Sequence, residues 1–297
     1  MTGTLFCFGF GYSADALAST LLAEGWKVRG TATTPAKVEA LRSRGIAAHV
    51  FDGQAPLAGS DRALEGVTHV LCSIPPDADG DPVVRHHGRE LMRLRSLRWA
   101  ALLSTTGVYG DRQGGTVDED SELRPTSERS VRRVVAERQW LALWRSTGVP
   151  VHIFRLAGIY GPGRNPLDQI RAGQARRIVK PGLVLGRIHR DDIVGALRAS
   201  IERRAAGSIY NVTDDEPVAP WEITAHGCTL LGVAPPPEVP HTEAEMSPLL
   251  REFYADNKRV SNRRLHEQLG YRFRFPTYRE GLKALLAEPP ATPRRGH

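Results

Sequence analysis

Leu5-Phe6-Cys7-Phe8-Gly9-Phe10-Gly11-Tyr12-Ser13-Ala14, running on into Asp15-Ala16-Leu17-Ala18, is the stretch from which the rest of the chain is read. Four consecutive apolar residues, Leu5 to Phe8, predict a short strand buried on both faces. Gly9 and Gly11 follow at once, and Leu17, Leu21 and Leu22 then fall at helical spacing. A strand, a glycine turn and a helix in this order suit a dinucleotide. Gly9 allows the tight turn, Gly11 lets the backbone approach a pyrophosphate, and the small Ala14 lets helix and strand pack closely. The N–H groups of Tyr12 and Ser13 at the helix start, with the helix dipole, favour the diphosphate. An ordinary tight turn between strand and helix gives the same G-x-G-x-x-A pattern. Its place at the opening of a strand–helix–strand alternation favours the nucleotide.

A chain of 297 residues can build one large core, or a main domain and a smaller one. The N-terminus has no charged segment followed by an apolar stretch and a cleavage site, and no apolar run approaches a membrane span. A cytoplasmic protein with no membrane partner is expected. Cys7 and Cys72 sit in apolar strand-like runs and Cys228 in a predicted helix, none spaced as a metal pair. Buried, reduced thiols and no metal are the reading. The net charge of +7 raises the question of nucleic acid, but arginines are scattered and interleaved with acids. No basic arm or nucleic-acid signature appears, so a solvated arginine-rich surface is expected, with no nucleic-acid partner.

Strands are predicted at Trp26 to Thr31, Ala47 to Phe51, Thr68 to Ile74 and Trp99 to Ser104, and a helix from Pro35 to Arg44. Asp81 before Pro82 reads as a helix N-cap. His86 and His87, adjacent on that helix and facing different ways, read as surface. The alternation predicts a doubly wound parallel sheet whose cleft lies at the strand ends, where Gly9, Thr31, Ser73 with Ile74, and Ser104 emerge. At the end of the second strand, Thr31-Ala32-Thr33-Thr34 offers no acid for ribose hydroxyls; Arg29 and Lys37 are the nearest cations and Glu39 the first acid. That leans toward NADP over NAD. Asp52 suits either an adenine contact or an ordinary turn before Gly53.

Several blocks together resemble the extended short-chain dehydrogenase/reductase superfamily, the NAD-dependent epimerase/dehydratase group. Leu103-Ser104-Thr105-Thr106-Gly107-Val108-Tyr109-Gly110 is similar to the family's S-S-x-x-V-Y-G, and Asp118-Glu119 to its V-x-E. Arg155-Leu156-Ala157-Gly158-Ile159-Tyr160-Gly161-Pro162-Gly163 is similar to its R-x-x-x-x-Y-G-P-G. Ile188-His189-Arg190-Asp191-Asp192 resembles I-H-V-D-D, and Tyr210-Asn211-Val212 the late Y-N-V strand. The blocks keep the family's order from about Leu5 to Leu282. The resemblance implies an α/β fold, a doubly wound Rossmann sheet with a smaller C-terminal substrate domain. It divides the chain into a dinucleotide domain over 1–160 that also receives 186–212, a substrate domain from 161–185 and 213–285, and a loose tail over 286–297.

The family's chemistry uses a Ser or Thr with a Tyr and a Lys four residues apart on a helix ending in Ala-Glu. Counting back from Ala136-Glu137 puts Arg129 at the tyrosine position and Arg133 at the lysine position; Thr105 matches the Ser/Thr. Arg129, Arg133 and Glu137 share one helix face. Arg133 can supply positive charge and ribose hydrogen bonds, whereas Arg129 stays protonated and makes a poor acid/base. Tyr109 and Tyr160 are substitutes for the missing tyrosine or packing residues, and His189 titrates in the useful range or docks the second domain. Arg155, Arg164 and Arg187 either face an anionic or sugar-nucleotide-like substrate or are structural. The helix Val131 to Trp144 serves core packing or a homodimer. Two functions remain open: an oxidoreductase or epimerase/dehydratase-like enzyme on a small polar or sugar-like molecule, and a non-catalytic NAD(P)-binding sensor.

Overall fold

The computed structural model describes residues 2–203 and 205–287. In chain order these form β1 (Thr4–Phe8), α1 (Tyr12–Ala23), β2 (Lys27–Ala32), α2 (Pro35–Arg42), β3 (Ala47–Val50), α3 (Ser60–Leu64), β4 (His69–Cys72), α4 (Pro82–Arg93) and β5 (Trp99–Thr105). There follow β6 (Thr116–Val117), α5 (Glu128–Thr147), β7 (Val151–Leu156), β8 (Gly158–Tyr160), α6 (Pro166–Arg171), β9 (Arg177–Val179), β10 (Arg187–His189) and α7 (Arg190–Arg203). The remainder is β11 (Ile209–Val212), α8 (Pro220–Leu231), β12 (Glu238–Pro240), α9 (Pro248–Ala255), β13 (Arg259–Val260) and α10 (Tyr278–Ala287). Of the tail expected over 286–297, residues 288–297 lie outside the described residues.

The chain divides into two compact units. The first holds Met1–Val108, Glu128–Arg155 and Ala196–Tyr210; the second holds Tyr109–Ser127, Leu156–Gly195 and Asn211–His297. The central sheet has seven strands in the order β11-β7-β5-β4-β1-β2-β3. Its ladders from β5 through β4, β1 and β2 to β3 are all parallel. Strand order reverses at β1, which lies between β2 and β4, so the switch point of the sheet is where Gly9 leaves β1 and Ser73 leaves β4.

Alternation along β1 explains its burial. Phe6 and Phe8 join Val70, Cys72, Ala100, Leu102, Val83, Leu91, Ala136 and Trp140 in one core, on the side of α4 and α5. Leu5 and Cys7 point to the opposite face, and all four residues are fully buried. Each large apolar side chain so buried contributes roughly 1.5–3 kcal/mol before entropy is counted. Caps set the helix starts. Thr34 Oγ1 accepts from Lys37 N at 3.3 Å ahead of Pro35, and Asp81 Oδ1 accepts from Val83 N and Val84 N at 2.9 and 3.1 Å ahead of Pro82.

The surface assignment of His87 is corrected. His87 is fully buried, its Nε2 accepting from Leu57 N at 3.0 Å and its ring stacked on Phe8 at 5.5 Å. Burial lowers its pKa and keeps it neutral enough to accept. In the second unit, Tyr160, Leu167, Val218, Ile223, Tyr278, Leu282 and Leu285 form a separate core. Cys7, Cys72 and Cys228 are free, buried thiols, and burial raises the pKa of each.

Candidate functional site

The glycine turn is latched at the switch point. Gly9 N donates to Thr31 Oγ1 at 3.0 Å, and Ser73 Oγ donates to Gly9 O at 2.9 Å. Thr31 is fully buried, so its role is to hold the turn. Gly9 has φ +85°, and a Cβ there would meet Ser73 Oγ and Ile74 Cγ1 at 3.1 Å each. Both conformation and space therefore demand glycine. Gly30 in β2 was not singled out by sequence, yet a Cβ on it would lie 2.3 Å from Cys7 O and 2.4 Å from the Phe10 ring. A glycine inside a strand was the available signal of such close approach.

Gly11 is the N-cap of α1 and has no side-chain cap bond. Its surroundings are open: a Cβ there would find only Ser73 Oγ, at 4.0 Å. Ser13 is buried and Tyr12 half-buried on the first turn behind it. Open space before an uncapped helix start, above a small residue, fits a diphosphate held by backbone N–H groups. Thr33 and Lys37 are exposed beyond β2. Arg29, however, donates to Ala63 O and Glu65 O at 3.2 and 3.0 Å, an anchoring role. Exposed Asp52 accepts from Gln54 N at 2.9 Å, as a turn aspartate does.

At the end of β5, the helical stripe read from sequence divides by depth. Glu137 is buried, paired with buried Arg155 at 2.7 Å, and accepts from Ser104 Oγ at 2.5 Å. That network places Arg155 in the sheet core, and sequence reasoning did not find it. One turn earlier, Arg133 is half-buried and its Nη1 donates to Leu103 O at 2.8 Å. Burial lowers its pKa and the charge of Arg129 adds to this, while Cys72, Asp81 and Glu137 oppose. Arg129, one turn further, is exposed. Thr105 is half-exposed, its Oγ1 accepting from Gly107 N at 3.1 Å. A Cβ on Gly107 would meet Ser130 Oγ at 2.7 Å and Thr105 Oγ1 at 3.4 Å, so the start of α5 closes on the Thr105 turn. Thr105, Arg129 and Arg133 thus belong to one corner of the first unit.

The other candidates lie in the second unit. Tyr109 is fully buried and its hydroxyl donates to Asn211 Oδ1 at 2.7 Å. Burial pushes the Tyr160 phenol far above its ordinary range, with Asp214 and Asp192 adding to it. His189 is buried, Nδ1 accepting from Asp191 N at 3.2 Å, its ring against Phe275 at 4.2 Å and Tyr160 at 5.2 Å. Burial lowers its pKa to about 4, so at neutral pH it is a neutral wedge and a poor proton shuttle. Among the described residues, no cluster of three His, Cys, Asp or Glu comes together as metal ligands. No helix among them is long and apolar enough to cross a membrane.

Comparison with known proteins follows the same lines. Residues 90–213 match the model of the NAD dependent epimerase/dehydratase family. The protein YeeZ of Escherichia coli (strain K12) is 28% identical over 277 residues, covering 90% of this chain and 94% of YeeZ. A functionally unknown conserved protein from Silicibacter pomeroyi is 46% identical, with a TM-score of 0.89 over 96% of this chain and 99% of its own. The dTDP-glucose 4,6-dehydratase of Bacillus anthracis, solved with NAD, is 16% identical with a TM-score of 0.78 over 96% of each chain, which speaks to fold.

Proposed function

We propose that this chain, which belongs to the NAD-dependent epimerase/dehydratase family, is an NAD(P)-binding oxidoreductase or epimerase/dehydratase-like enzyme in which Arg129 and Arg133 replace the usual Tyr and Lys. The observation that carries this is the depth-graded stripe on α5, with Arg133 bonded to Leu103 O and Arg129 exposed beside the Thr105 turn. Gly9, Gly11, Tyr12, Ser13, Ser73 and Ile74 would hold the diphosphate, and Thr33 and Lys37 the adenosine end. The bound nicotinamide would supply hydride transfer. Arg133 offers a ribose hydroxyl a fixed donor. Arg129 adds positive charge where an oxidised ring would already be cationic, which favours the neutral reduced ring or an anionic substrate group. The substrate on this reading is a small polar or sugar-like molecule. Exposed Thr33 and Lys37, with no acid at the end of β2, support NADP over NAD. Val131 and Val135, exposed on α5, support a homodimer through that helix.

A non-catalytic sensor is the second reading. It is favoured by the Tyr109 hydroxyl being committed to Asn211 and by the acid/base inertness of arginine. The test is calorimetric titration with NAD, NADH and NADPH, beside turnover of a carbonyl and sugar-nucleotide panel. Binding of the reduced forms at least as tight as NAD is expected, and NADPH tightest. Gly11→Val should abolish cofactor binding; unchanged affinity in that variant refutes the assigned site. Turnover that Arg129→Ala leaves untouched removes Arg129 from the chemistry. Cofactor binding without turnover, in the natural protein and in Arg129→Tyr with Arg133→Lys, favours the sensor.

A further inference from the structure

Two loops of the first unit that run beside the glycine turn are tied together by one arginine. The chain leaving β3 turns back toward β1. Phe51 packs edge-on to Phe8 at 5.9 Å, and a Cβ on Gly53 would meet Pro82 Cβ at 3.1 Å. The chain leaving β4 emerges at Gly9, where Ser73 Oγ donates to Gly9 O at 2.9 Å. Past Ile74, Pro75 and Pro76 restrict the backbone, and Asp77 and Gly80 close a turn through N–H to O bonds of 3.0 and 3.3 Å. Arg85, in the first turn of α4, reaches both loops. Its Nη1 and Nη2 donate to Asp77 Oδ1 and Oδ2 at 2.9 and 2.6 Å, and Nη2 also donates to Gly53 O at 3.1 Å. His86 Nε2 lies 3.0 Å from the same carbonyl. At its far end the β4 loop is held on α5, where Gln139 Oε1 accepts from Asp81 N at 2.7 Å.

We propose that Arg85 is a positioning residue for the adenosine half of a bound dinucleotide, fixing the spacing between the Asp52–Gly53 turn and the Ser73–Asp77 loop. This rests on the dinucleotide reading given above. With the diphosphate at Gly11 and the nicotinamide toward Thr105 on β5, the adenosine extends the other way, toward the ends of β2 and β3. The two loops that Arg85 joins border that path. Ion pairs as exposed as this one, at 29% and 34%, contribute little to stability. A bidentate fork that also grips a carbonyl from a second loop specifies geometry instead. The hydrogen bonds from Arg85 hold the Asp77 carboxyl below its ordinary range, so the pair is ionised at neutral pH. Loops already joined need no ordering when the ligand arrives, whereas loosened loops must be ordered at the expense of affinity.

The experiment is calorimetric titration of the full chain with NADH and with ADP, which carries the adenosine and diphosphate but no nicotinamide. Arg85→Ala should weaken both ligands by the same factor, about tenfold, because the shared half is the one affected. Asp77→Ala should weaken them no more than that. The double variant should be no weaker than Arg85→Ala, since Asp77 acts through the fork. Arg85→Lys should fall between, about threefold weaker than the natural protein, keeping the charge and losing the fork. All four variants should melt within about 3 °C of the natural protein, which a merely structural role for the pair would not allow. ADP affinity unchanged in Arg85→Ala overturns the proposal. So do additive losses in the double variant, a loss confined to NADH, Arg85→Lys as weak as Arg85→Ala, or a larger drop in melting temperature. A natural protein that binds neither ligand overturns the dinucleotide reading and this proposal with it. ADP and NADH bound equally well with and without the Arg85 side chain overturn this proposal alone.

Discussion

Glu137 shows how one position on a helix can change meaning with depth. It shares its face with Arg129 and Arg133, which the family resemblance ties to cofactor chemistry, yet it sits 1% exposed, bound to Arg155 and Ser104. Ion pairs at such depth add little net stability over apolar packing, but breaking one leaves a charge behind. Glu137→Ala should therefore destabilise the protein by about 3–5 kcal/mol, read as a lower urea midpoint. Glu137→Gln should cost less, because it keeps an acceptor for Ser104 and for one arm of Arg155. Equal losses in the two variants would mean that volume, not the pair, holds this part of the core. Gly9 is determined differently, by a left-handed φ and by contacts at 3.1 Å on two sides.

At the scale of the element, α5 carries three faces at once. Val134, Ala136 and Trp140 are buried toward the sheet, and Trp140 and Ala136 belong to its core. The arginine stripe runs alongside. Val131 and Val135, spaced one turn apart, are 46% and 38% exposed. Two β-branched residues gain nothing for an exposed helix face, since their side chains lose rotamer freedom there without burial in return. They support the homodimer proposed through this helix. Sedimentation of the natural protein should give a dimer mass, and Val135→Glu should shift it to monomer with cofactor affinity unchanged. A monomer in the natural protein would remove the dimer from the proposal.

At the scale of the molecule, titrating groups set opposite pH limits on the two units. In the first, burial lowers His152 to about 4 and also lowers His87, so both are neutral when folded, while burial raises Asp81. Below about 6.5 the unfolded histidines take up protons that the folded ones refuse, so stability falls with falling pH; the single carboxyl opposes this and is outnumbered. In the second unit Asp214 is raised to about 8 and keeps its proton when folded. The unfolded carboxylate releases it from about 3.9 upward, so stability falls as pH rises toward 8; His189, at about 4, offsets this only below about 6.5. Hydrogen exchange, corrected for intrinsic rates, should show protection lost in the first unit between pH 6.5 and 4.5, and in the second between 6.5 and 8. Asp214→Asn should abolish the alkaline loss. A profile with the same sign in both units would refute the assignment.

The sequence by itself determined what depends on neighbours along the chain. Alternating strands and helices, the Gly9–Gly11 turn, the Asp81 and Pro82 helix start and the ordered family blocks were legible because periodicity, cap chemistry and turn conformation act over a few residues. Tertiary structure alone decided which polar side chains are spoken for. His87 is buried by its bond to Leu57, Arg29 is anchored on the carbonyls of Ala63 and Glu65, and Arg155 is neutralised by Glu137. An arginine reads the same along the chain whether it is surface, anchor or core partner. Its role is fixed by the acceptor that folding brings to it from a distant segment.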